Sequence, residues 1–232
     1  MLSRPHPATW TLLGVLALQG LVWLWGQDHM SREEIVPAPP SALALEVAAL
    51  GDGQFLFRLL GLRLQSFGDS GGRVTPLADY DYKRLQGWFL AIDGLDPTSD
   101  YIAVIAAHYY GVTPKTSDLP HVIAYLRSHA AKAPQRNWRW LAHAVYLARH
   151  RLKDNRLALE IAWDLAALPF PDIPAWTKAM PAYAMADLGE REAAIALLSA
   201  IMQTDAQHLT PEEMKGMMKS IQKWQRQGGE RR

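Results

Sequence analysis

Residues 134–146 read PQRNWRWLAHAVY, opening on Pro134 and closing on Tyr146, and this pairing of a proline with a tyrosine 12 positions later decides the fold. The pairing occurs three times. Pro97 and Tyr109 stand 37 residues earlier, and Pro171 and Tyr183 stand 37 residues later. Two residue types held in one register mark a structural repeat. Across this stretch and just past it, Trp138, Leu141, Val145, Ala148 and Leu152 fall on one helical face. The repeating unit therefore contains an amphipathic helix.

Turn and capping signals divide the flanking sequence into helix pairs. Asp96-Pro97-Thr98-Ser99 reads as a helix stop followed by caps for a helix over 99–111, and Gly111 to Asp118 separates it from a second over Leu119–Lys132. The next pair is predicted over 136–151 and 154–168. A third follows over 174–188 and 190–204, joined by the tight turn Leu188-Gly189-Glu190. Pro181 lies inside the first helix of that pair and is expected to kink it. Gln54–Phe67 and Asp79–Leu95 form an irregular opening pair. Pro211–Gln227 closes the array, with Thr210 as N-cap and Pro211 at the first helical position. Apolar residues make up 49% of the chain, led by alanine and leucine, and no segment alternates at the strand period. The expected fold class is all-α: an α-solenoid of antiparallel helix pairs behind one N-terminal transmembrane helix.

The transmembrane helix is expected over 8–27. No charged residue occurs from Pro7 to Gln27, and Trp10, Trp23 and Trp25 stand near the ends, where indole rings favour the membrane interface. About 20 residues at ~1.5 Å each cross a hydrocarbon layer of roughly 30 Å. A cleaved signal peptide is the competing reading, but Trp25-Gly26-Gln27-Asp28 lacks the small-x-small cleavage pattern. Arg4 precedes the span, whereas Asp28, Arg32, Glu33 and Glu34 follow it. The positive-inside rule then places the N-terminus in the cytoplasm and the rest outside, in the periplasm of a single-pass inner-membrane protein. The domain division is a short tail (1–7), the anchor (8–27), a linker stiffened by Pro37, Pro39 and Pro40 (28–40), the repeat domain (41–205), and a capping helix with a basic tail (206–232).

Several chemistries are set aside on composition and spacing. With 24 basic and 23 acidic residues the net charge is +1, without the concentrated positive potential that nucleic acid requires. The absence of cysteine removes disulfides, thiolate metal sites and thiol nucleophiles. Eight histidines include no His-Glu-x-x-His pair, so they are expected to be ordinary surface residues, with no metal and no cofactor. Gly68-Asp69-Ser70-Gly71-Gly72 spells the nucleophile motif of trypsin-like proteases, yet only His6 and His29 precede it; it reads as a flexible loop. Arg73-Val74 follows where a phosphate loop needs Lys-Ser or Lys-Thr. Asp79 or Asp81 reads as a helix cap rather than the two as paired carboxylates. Trp138 and Trp140 point in different directions on a helix, the first to the core and the second between repeats.

Residues 184–194, AMADLGEREAA, resemble the helix–turn–helix core of the tetratricopeptide-repeat family, with Gly189 at the turn and Ala194 at a small packing position. Leu95-Asp96-Pro97 resembles its unit-ending motif, and Tyr109, Tyr146 and Tyr183 match the aromatic of each first helix. The resemblance covers roughly 79–205. The unit is 37 residues rather than the family's usual 34, and the Leu-Gly pair of the first helix is missing. The resemblance implies a concave surface of first helices that binds a protein partner. Arg139, His143, Tyr146 and His150 share one such face, and Trp176, Met180, Tyr183 and Asp187 are their equivalents one repeat later. The expected function is a non-enzymatic membrane-anchored scaffold binding a protein partner, in envelope assembly or secretion. The alternative is an enzyme or enzyme subunit acting on envelope polymers, which requires clustered carboxylates in a closed pocket.

Overall fold

The computed structural model describes residues 7–30, 34–69 and 74–229. It is all-α and 77% helical, with no strand among the described residues. The helices are α1 (Pro7–Met30), α2 (Ala42–Ala49), α3 (Gly53–Gln65), α4 (Tyr82–Asp93), α5 (Tyr101–Val104), α6 (Leu119–Lys132), α7 (Pro134–Tyr146), α8 (Asn155–Ala166), α9 (Met180–Asp187), α10 (Arg191–Thr204) and α11 (Pro211–Gly229).

Local chemistry sets most of these boundaries. The side chains of Asp52, Asp81 and Asp154 accept from the backbone N–H three residues on, closing the first turns of α3, α4 and α8 at 2.8, 3.0 and 2.9 Å. At α11 the Thr210 hydroxyl accepts from the Glu213 N–H at 3.2 Å, while the Glu213 carboxylate accepts from the Thr210 N–H at 2.7 Å, a reciprocal capping box. Gly189 ends α9 at φ 91°, and Glu190 N–H reaches back to Met185 O at 2.9 Å. The expected kink at Pro181 takes another form. Residues Ala175–Ala179 make a 3₁₀ turn and α9 begins at Met180, so Pro181 occupies the first α-turn, where its missing N–H sacrifices no helical bond.

Helices α4, α6, α7, α8, α9, α10 and α11 pack successively, each on the next, and α2 and α3 precede them. Side-chain bonds between helices span a range of separations, from 32 residues for Tyr125 to Asp93 to 40 for Trp140 to Asp100. Arg127 to Asp164 and Gln135 to Asp172 each join residues 37 apart, and Arg149 to Asp187 and Arg151 to the Thr113 carbonyl join residues 38 apart. One apolar core runs from Val36 to Ala184, and a second, rich in alanine, lies among α9, α10 and α11.

Tyr110 anchors the first core. Fully buried, it donates to Leu64 O at 2.6 Å, and its own carbonyl accepts from the Tyr82 hydroxyl at 2.9 Å. Burial raises the Tyr110 phenol pKa above its ordinary value, and it pushes that of Tyr82 up to about 12.

Not all histidines lie at the surface. His129 is fully buried, its Nδ1 2.7 Å from Asp93 Oδ1, with Asp93 also fully buried. Lys132 donates to the other Asp93 oxygen at 2.6 Å, and Tyr125 donates to Oδ1 at 3.3 Å. The cluster ties α4 to α6, and Asn137 extends it to α7 by donating to the His129 carbonyl at 3.1 Å. Burial pushes the Asp93 carboxyl upward, but the hydrogen bonds and charges of His129 and Lys132 outweigh it and hold its pKa below the usual carboxylate range.

Residues 34–40, assigned to the linker by sequence, lie along α4. Val36 is buried, Arg84 pairs with Glu34 and donates to Val36 O at 3.0 Å, and Trp88 donates to Pro37 O at 2.8 Å. The Pro39 ring sits on Gly87, where any Cβ would collide with it. Among the described residues no helix is long and apolar enough to cross a membrane. The described side chains of α1 run from Thr11 to Leu24, and every one is exposed; the ends of the expected 8–27 span lie outside them. In the Gly68–Gly72 run, the residues from Ser70 onward also lie outside the described residues. Thr75 closes the base of that loop, donating from both N–H and Oγ1 to Gly68 O at 3.2 and 2.9 Å.

Candidate functional site

Two helices lose their regular winding at corresponding places. Helix α5 continues as a π turn over Ile105–Tyr109 and a 3₁₀ turn over Tyr110–Val112; α7 continues as a π turn over Leu147–Leu152. Each π turn widens the helix and redirects its side chains, a feature frequent at functional sites. Lys153 ends the second at φ 63°, where Asp154 N–H bonds Ala148 O at 3.0 Å. Gly111 relieves crowding within its own turn and leaves ordinary contact distance to the second helix. A Cβ there would stand 3.3 Å from Ala106 O and 3.6 Å from the Leu147 side chain.

Between the two irregular ends lies a cleft of about 350 Å³, lined by Ala107, His108, Gly111 and Val112 from one helix and His143, Tyr146, Leu147 and Arg151 from the other. The His108 and His143 rings meet edge to face at 4.8 Å between centroids. Tyr146 follows His143 at 5.6 Å, and His150 follows Tyr146 at 5.2 Å, so three rings form a ladder up α7 and its extension. Arg151 donates to Thr113 O at 2.9 Å, which orients its guanidinium at the rim. Trp140 donates to Asp100 at 2.8 Å and sets its ring edge against His108 at 6.4 Å, buttressing the cleft from below.

The lining combines one cation, Arg151, with neutral polar groups. Burial first, and His108 second, lower the His143 pKa against a contribution from the Ala107 carbonyl. His143 is therefore neutral at pH 7, and its buried Nε2 has no hydrogen-bond partner among the described residues. An unsatisfied imidazole nitrogen, a phenol and a guanidinium converge on one opening, and the lining contains no carboxylate. No group of three or more metal-ligating side chains gathers among the described residues.

The residues expected from sequence divide into two sets. His143, Tyr146 and His150 come together as the ring ladder. Arg139 stands apart, its guanidinium over the Trp138 ring at 4.9 Å. Trp176 packs edge-on against Trp138 at 5.8 Å, and Tyr183 against Trp224 of α11 at 5.8 Å. Trp176, Met180 and Tyr183 line a second cavity of about 300 Å³ with Glu213, Gly216 and Met217, so α11 covers the later half of the expected face. Asp187 joins the two halves through an ion pair with Arg149 at 2.6 Å, and the Arg149 guanidinium also lies 5.7 Å from the Tyr183 ring.

Sequence reasoning missed His108, Arg149 and Arg151. The repeat register pointed past His108, which lies 35 residues before His143 rather than 37, on a helix that has already unwound into a π turn. Arg151 sits in a segment read as regular helix, where its position relative to His143 gave no reason to pair them. No protein-family model, curated protein or solved structure matches the chain.

Proposed function

We propose that this chain is a membrane-anchored, tetratricopeptide-like α-solenoid that binds a protein partner through the His108–His143–Arg151 cleft and performs no chemistry on it. The observation that carries this reading is the cleft itself. It is open, sits between adjacent helix pairs, and offers the Arg151 guanidinium, the Tyr146 hydroxyl and the His108 and His143 imidazoles, with no carboxylate among its lining residues. The Arg151 guanidinium and the Tyr146 hydroxyl suit an acidic side chain or a terminal carboxylate of an extended segment, whereas His143 Nε2, whose ring gives its one proton to the Ala107 carbonyl, accepts from a donor on that segment.

The solenoid reading is supported by the successive packing of each helix on the next. Anchoring is supported by α1. Its 24 residues extend about 36 Å at ~1.5 Å per residue, they bear no charge before Asp28, and none of the apolar side chains from Leu12 to Leu24 is buried. Exposed apolar side chains along the described part of α1 favour lipid over water as its surroundings. The charge difference across α1 favours an extracytoplasmic domain.

A photo-crosslinking side chain at Tyr146 in native membranes is expected to capture a partner, and Arg151→Gln is expected to abolish that adduct. Unchanged capture by the Arg151→Gln chain would defeat the cleft reading. A C-terminal reporter active only in the cytoplasm would overturn the topology.

A further inference from the structure

The first two helices after the anchor carry an apolar face that the domain leaves uncovered. In α2, Leu43 and Val47 stand at i and i+4, and Leu50 follows at the helix end with φ 47°; all are exposed, Leu50 to 90%. In α3, Phe55, Leu59 and Leu62 stand at i, i+4 and i+7 and are exposed as well, Phe55 and Leu62 each to 62%. A helix in a soluble domain turns such a stripe inward. Here the opposite side of α3, with Leu56, Phe57 and Leu64, already fills the core, so the outward stripe is a second apolar face. Arg58 and Arg63 stand exposed on the same outer side of α3, and neither forms an ion pair among the described residues. Apolar side chains flanked by cationic ones on one helical face compose an interfacial membrane-binding surface.

The tether determines what this face meets. Glu34 and Val36 are fastened to Arg84, and Pro37 to Trp88. Only three residues lie between Met30, the end of α1, and Glu34, and those four chain steps span at most about 14 Å. The domain is thus held against whatever surface α1 enters, with α2 and α3 among its nearest elements in the chain. Beside them an apolar groove of about 600 Å³, lined by Pro40, Leu45, Leu90 and Leu95 among others, opens between α2 and α4.

We infer that the outer faces of α2 and α3 lie in the lipid headgroup and upper acyl region, so that the domain reclines on the bilayer that α1 enters. The inference rests on the anchored reading above. Docking fixes the domain's tilt, and with it the direction in which the His143 cleft faces.

The absence of cysteine makes site-directed spin labelling of the full chain direct. Nitroxides at Val47→Cys, Leu59→Cys, Leu18→Cys and Glu192→Cys are compared in phosphatidylethanolamine–phosphatidylglycerol vesicles, using oxygen and a water-soluble nickel chelate as collision partners. At positions 47 and 59 the ratio of oxygen to nickel collisions is expected to rise several-fold over that at 192, toward the value at 18. A bilayer-like label at 18 with water-like labels at 47 and 59 would overturn the docking face and leave the anchor standing. Labels at 47 and 59 shielded from both partners and broadened by spin–spin coupling would assign the face to a second copy of the chain, which also overturns it. A water-like label at 18 would remove the anchor, and the inference with it.

Discussion

Replacing Asp93 by alanine tests the central polar cluster most directly. The carboxylate is fully buried, accepts from His129 and Tyr125 on one oxygen, and pairs with Lys132 on the other. Its removal strands a buried imidazole and a buried hydroxyl in a site with no solvent to replace the lost acceptor. Breaking a buried pair from one side costs about 3–5 kcal/mol. In a domain of this size each kcal/mol lowers Tm by roughly 2–4 °C, so the expected loss is roughly 6–20 °C. Thermal unfolding followed by far-ultraviolet circular dichroism, on the full chain in detergent, measures it.

The double variant Asp93→Leu/His129→Leu removes both partners of the buried imidazole–carboxylate contact, leaves Lys132 to turn toward solvent, and should lose less than the sum of the single changes. The pH dependence follows from the depressed Asp93 pKa. With the folded value below the unfolded one of about 3.9, the unfolded chain binds more protons between the two. The cluster's stabilisation is thus fully present above the unfolded pKa and is lost as pH falls through the folded one. A loss below about 1 kcal/mol for Asp93→Ala at neutral pH, or strict additivity in the double variant, would refute the reasoning, since both contradict the buried-pair range used here.

Gly189→Ala places a side chain at φ 91° in open space, so backbone strain alone should destabilise by about 1–3 kcal/mol in denaturant unfolding. Thr210→Ala breaks the α11 capping box and should cost about 1 kcal/mol, with amide exchange rising first in the opening turn of that helix. Gly87→Val expels the Pro39 ring and should expose residues 34–41 to limited proteolysis while the helices downstream stay protected. His143 should titrate below an ordinary histidine by nuclear magnetic resonance. Since the unfolded chain takes up its proton more readily, stability should fall as pH drops through the unfolded histidine value of about 6.5, and His143→Gln should flatten that slope.

Much of the helical framework was legible because it is written in local interactions. Leu119–Lys132 was placed by the break before it and the proline after it, and the structure has the same limits. Asp81 and Thr210 were identified as caps because a short polar side chain beside an apolar run has few other uses, and both make the expected backbone bonds. The candidate site was legible only in part. His143, Tyr146 and His150 lie on one helix and share its periodicity, so a single-helix argument could group them. His108 and Arg151 come from turns wound with five-residue closures, and no periodicity in the sequence announces such a turn.

The sequence by itself determined an all-α chain, because helical propensity, caps and apolar spacing act over distances of a few residues. Only the tertiary structure decided that Asp93 and His129 are a buried pair, that residues 34–40 belong to the body of the domain, and that α11 covers Tyr183 while Tyr146 stays open. Those outcomes depend on which helix lands on which. That choice is made by shape and charge across residues some 35–50 positions apart, where the local signals in the chain have no reach.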